Sequence, residues 1–162
     1  MSSLAPELVR LEQILTIVKK EDQHLLAVRD RLVSPDQTID LEWLKQTIGD
    51  SIGEDRLESF SSKFSRMQDA VIDKLIPQLL IASGEIAMTA IDNLNRAERL
   101  GFIQSSEIWI EMRRLRNRLV HEYIDELAEM LPALRKAYLF TDELHRAYLN
   151  IATYAQLRLE KA

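Results

Sequence analysis

Arg116, Asn117 and His121 fall within one six-residue stretch, Arg116-Asn117-Arg118-Leu119-Val120-His121, and Tyr123 follows two positions later. Imidazole is the side chain that titrates nearest neutral pH, so His121 is suited to taking up and releasing a proton. A guanidinium keeps its charge and offers a planar fork that matches phosphate oxygens, which suits Arg116 to a phosphodiester. Asn117 adds an amide able to orient either one. Together these are the parts for binding a phosphodiester and moving a proton beside it. Arg113, Arg114 and Arg118 extend the positive surface to further phosphates. The same residues also fit plainer roles: the arginines as a solvated helix face, and His121 as a buried or helix-capping imidazole.

A helix must carry this stretch, with Ser105 or Ser106 as its cap and Glu107 in its first turn. At about 100° per residue, Ile108, Met112, Leu115 and Leu119 share one sector, the expected core face, with Arg116 at its border. Trp109, Ile110 and Val120 fall outside that sector. They predict a second, partly apolar surface, which is natural in a dimer. Arg113, Arg114 and Arg118 join Asn117 and His121 on the polar side. Arg116 and His121 diverge by about 140° on a regular helix. A helix end near Glu122, or a second copy across a two-fold axis, would let them converge.

The rest of the chain reads as further helices. It has 162 residues, enough for one domain (1–162) with a real core, and no Cys, which excludes disulfide scaffolds, zinc knuckles and thiol catalysis. Four Gly, four Pro and no sustained two-residue alternation predict an all-α protein, an antiparallel bundle of four to six helices. Leu8, Leu11, Leu15, Val18, Leu25 and Leu32 set a heptad seam over about 5–33, interrupted by Asp22 and Arg29. A short helix is expected at 39–49, with Leu41, Leu44 and Ile48 on one side. After a Gly53-Glu54-Asp55 turn comes a helix at about 56–80, striped by Phe60, Phe64, Met67, Val71 and Leu75 and kinked or ended by Pro77. Ile86, Ile91, Leu94 and Leu100 mark the next, closed by Gly101. The last is long, starting near 126 or at Pro132, with Leu134, Tyr138, Thr141, Leu144, Tyr148, Ile151 and Ala155 inward. A net charge of -5 argues against a general nucleic-acid coat but leaves room for a local basic site. The N-terminal residues carry no apolar run of signal-peptide or membrane-span length, so a cytoplasmic protein with no membrane partner is expected.

At Arg116-Asn117-Arg118-Leu119-Val120-His121 the chain resembles the HEPN family, helical domains whose signature is Arg, a polar residue, three further residues and His. His121-Glu122-Tyr123 also satisfies the His-x-Tyr extension of one subgroup. Glu98-Arg99-Leu100-Gly101, Trp109 and the Arg-rich approach look similar to bacterial members. So do Phe64-Ser65-Arg66-Met67-Gln68-Asp69 and Lys74-Leu75-Ile76-Pro77. The resemblance covers about 56–160 and is most specific over 98–123. It implies a homodimer with the two motif helices facing across a cleft, and metal-independent RNA cleavage by His121 and Arg116 with Asn117 orienting. It further implies a toxin paired with a small nucleotidyltransferase antitoxin, with Tyr123 as acceptor of AMP. No cofactor is implied.

Two other classes compete. One is a non-catalytic accessory subunit that holds a nucleotide or RNA for a partner nucleotidyltransferase. The other is a metal-binding bundle, since Glu21-x-x-His24 and Asp142-x-x-His145 have the carboxylate–imidazole spacing of diiron helices. Against it, the heptad register turns His24 outward and two further bridging carboxylates are not evident. His24 and His145 read as surface or packing residues.

Overall fold

Most of the helices begin where a side chain accepts from an orphan N–H of the first turn, or where a proline removes one. In the computed structural model, which describes residues 5–121 and 126–161 (of 118–121 the backbone alone), Pro6 opens α1 (Pro6–Leu32). The Asp40 carboxylate accepts from the Trp43 N–H at 2.8 Å to start α2 (Leu41–Ile48). Asp50 does the same for α3 (Ser51–Ala70), which a π-helical turn, Val71–Leu75, joins to α4 (Ile76–Ala82). Thr89 caps α5 (Ala90–Arg99), and Ser105 accepts from the Ile108 N–H to cap α6 (Ser106–His121). The last helix, α7 (Leu127–Glu160), has 34 residues and a length of about 51 Å. Among the described residues every regular element is helical, and α3, the π turn and α4 form one continuous rod, giving six rods. None of these helices is long and apolar enough to cross a membrane.

The bundle is antiparallel around α1. Asp22 meets His145 and Arg29 meets Asp142, so α7 descends as α1 rises. Gln78 of α4 donates to the Glu7 carbonyl at 3.0 Å, at the opposite end of α1 from the start of α3. Trp109 meets Phe140 while Lys136 pairs with Glu111, so α6 and α7 also run in opposite directions. The α1 seam is buried as its spacing predicts, and Phe60, Phe64, Met67, Val71 and Leu75 form the buried stripe of the central rod.

Several sequence expectations are corrected here. Gly53-Glu54-Asp55 is not a turn, because Asp50 starts α3 directly after α2. A Cβ on Gly53 would lie 2.2 Å from the Thr47 carbonyl oxygen, so glycine permits this close passage. Pro77 does not end the helix. Its ring would meet the carbonyl four residues earlier, and the wide turn upstream, in which the Ile76 N–H reaches back to the Val71 carbonyl, accommodates it. Ile86 precedes α5 and is exposed, and Ile91 and Leu100 are also exposed; Asn93, Leu94 and Ala97 are the buried residues of that helix. Trp43 and Leu44 are the buried pair of α2, while Leu41 is exposed. Gly101 does close α5, with φ +84°, and Pro132 sits inside α7 rather than at its start.

Candidate functional site

The motif helix is anchored at its start by α5. Ser106 donates its backbone N–H to Glu98 Oε1 at 2.9 Å and its hydroxyl to Asn95 Oδ1 at 2.7 Å. Its core face is turned from the one expected. Trp109, Met112 and Leu115 are buried, Trp109 at 1%, while Ile108 is 48% exposed. The indole decides the rotation: its large ring packs edge-on against Phe140 of α7 at 4.9 Å, and Phe140 in turn meets Phe64 of α3. Trp109 therefore belongs to the core and not to a second apolar surface. On the described part of α6 that surface reduces to Ile108 and the half-buried Ile110.

This rotation draws Arg116 inward. Its side chain is 19% exposed, and Nη2 donates to Asp69 of α3 in a charge-assisted pair. Nη1 donates to Asn117 Oδ1 at 3.1 Å, and Nε is enclosed with no hydrogen-bond partner among the described residues. Arg113, Arg114 and Asn117 are exposed, as the polar face predicts. The structure thus brings Arg116 and Asn117 together, adds Asp69, and leaves Arg113 and Arg114 exposed.

The backbone is helical through His121, so positions 116 and 121 lie about 140° apart around one axis. Of the predicted site, the side chains of Arg118 and His121, and the whole of Tyr123, lie outside the described residues. The core-face residue Leu119 and the second-surface residue Val120 share that status. Two surface hollows, one along α1 and α3 beside Val28 and Asp55, the other beneath the α5–α6 loop beside Phe102 and Asn150, are lined by none of the motif residues.

The chain matches no family model, no curated protein and no solved structure.

A second polar cluster was invisible in the sequence. Asp22, read only as an interruption of the α1 seam, is 5% exposed and holds His145 Nδ1 at 2.8 and 3.0 Å from its two oxygens. An ionised carboxylate can only accept, so Nδ1 carries the proton. Burial, and then the Asp22 charge, hold the Tyr148 phenol above its usual range. The diiron spacing does not assemble: Asp142 pairs with Arg29, His24 is exposed, and among the described residues no three carboxylate or imidazole side chains gather as a metal site.

Proposed function

We propose that this chain is a metal-independent endoribonuclease, the toxin of a toxin–antitoxin pair, acting as a homodimer and neutralised by a nucleotidyltransferase antitoxin. The observation that carries the reading is the fixed guanidinium of Arg116, held beside Asn117 on a continuous helix that reaches His121 and flanked by exposed Arg113 and Arg114. His121 takes the proton of a ribose 2′-hydroxyl as the 2′-oxygen bonds to phosphorus. The 5′-oxygen leaves with a proton from a general acid, and a 2′,3′-cyclic phosphate remains. Arg116 balances the charge gathered on the phosphoryl oxygens, and Arg113, Arg114 and Arg118 bind flanking phosphates. Because positions 116 and 121 diverge on one helix, two copies facing across a two-fold axis supply base and acid from opposite sides. Exposed Ile108 suits the rim of such a contact better than a free surface. Tyr123, two residues from His121, is the proposed acceptor of AMP, whose anionic bulk would fill the RNA site.

The test is cleavage of a labelled single-stranded RNA by purified protein in a metal chelator. Wild type cuts the RNA and leaves the matching DNA intact, and His121→Ala loses about 100-fold or more. Equal rates for the two proteins sink the ribonuclease reading and favour the accessory-subunit one, which the net charge of -5 suits. Co-expression with the partner enzyme and intact-mass measurement tests the modification. The expected gain is one AMP, absent in Tyr123→Phe.

A further inference from the structure

Arginine side chains on a helix surface sample many rotamers, and a guanidinium that wanders contributes little to a reaction needing it in one place. Arg116 is tethered on both sides. One terminal nitrogen is tied to Asp69 and the other to Asn117, while Nε is enclosed. Of the four Nη hydrogens, two are therefore engaged, and the other two meet no acceptor among the described residues and can serve phosphate oxygens.

We propose that Asp69 is the positioning residue of this site, a carboxylate that fixes the Arg116 fork for the phosphate; the proposal rests on the ribonuclease reading above. Three observations single it out. Asp69 reaches Arg116 from another helix, 47 residues away in sequence, whereas Asn117 is only the next residue along the same helix. Its neighbours Gln68 and Ala70 are buried, so the carboxylate stands on backbone locked into the core directly before the π turn. The pair is also graded in depth, the arginine 19% exposed and the aspartate 45%. The guanidinium is sunk, and the carboxylate stands at its lip. Here the charge that must face phosphate is the more deeply held one. Asp69 touches no reacting atom, and acts through Arg116.

The experiment combines two readouts on the full-length protein. Steady-state cleavage of the labelled RNA is compared for wild type, Asp69→Asn and Asp69→Glu, with thermal unfolding to establish that each is folded. In parallel, the Arg116 guanidinium 15N signals, assigned with Arg116→Lys, report whether the fork is held. Asp69→Asn keeps the shape and removes the charge. The expected result is a kcat lower by about 100-fold with KM within about threefold, Asp69→Glu falling between. Resolved Nη signals in wild type should average together in Asp69→Asn. A kcat within threefold of wild type, a loss confined to KM, or guanidinium signals alike in both proteins overturns the proposal. If wild type cleaves no RNA, the ribonuclease reading fails, and the guanidinium signals alone decide whether Asp69 holds Arg116.

Discussion

Asp22 of α1 and His145 of α7 meet at 2.8 Å across 123 residues of chain, a buried carboxylate answered by a half-buried imidazole. The pair pins the first helix to the last in a defined register, because each is the other's partner at a position where the apolar seam is interrupted. Its two halves are not equivalent. Asp22 is enclosed, whereas His145 retains contact with water.

That asymmetry sets the first prediction. His145→Ala leaves the Asp22 carboxylate buried without its partner and should lower stability by about 1–3 kcal/mol. Asp22→Leu places an apolar side chain on the seam and leaves a histidine that water can reach, so it should be the milder change. Urea unfolding midpoints of the two variants check the order; the reverse order contradicts it.

Gly53 gives the second. A methyl group there meets the Thr47 backbone at 2.2 Å, and neither helix end can retreat without disturbing the Asp50 cap. Gly53→Ala is expected to destabilise by about 1–3 kcal/mol through overpacking, although alanine is the better helix former. A higher melting temperature than wild type would show that α2 and α3 are not so closely joined.

Alkaline unfolding gives the third. The Tyr148 phenol is raised above its ordinary value of 10.0, by burial first and then by the Asp22 charge. A raised folded-state pKa means the folded protein holds this proton more tightly than the unfolded chain. The corresponding stability is complete below pH about 10 and is lost as pH rises through the folded value. Tyr148→Phe should remove this part of the alkaline decline, read as a flatter dependence of the denaturation midpoint on pH above 10.

Much of this architecture is legible in local spacing. The α1 seam and the stripe from Phe60 to Leu75 repeat at helical intervals, and the residues at those intervals are buried. The rotation of α6 was not legible, because counting apolar positions treats Ile108 and Trp109 alike. A tryptophan commits far more surface than an isoleucine, and only Phe140, 31 residues later, explains which way the helix turns. In the candidate site, Arg116 and Asn117 are adjacent and the pattern finds them. Asp69 and the Asp22–His145 pair depend on tertiary contact between distant helices, which no spacing rule encodes. The starts of α2, α3 and α6, by contrast, rest on Asp40, Asp50 and Ser105, signals a reader of the sequence can use.

The π turn at Val71–Leu75 holds one residue more than the α-helical turns on either side of it. Everything from Ile76 onward is thereby rotated by about 100° relative to an unbroken α-helix. With that rotation Ile76, Leu79 and Leu80 lie in the core and Gln78 reaches the Glu7 carbonyl. A deletion of one residue within this turn would therefore let it close as an ordinary α-helical turn, with Leu79 and Leu80 still facing the core. The same deletion elsewhere in the rod would be a change of phase more than of length, and would face them in the wrong direction.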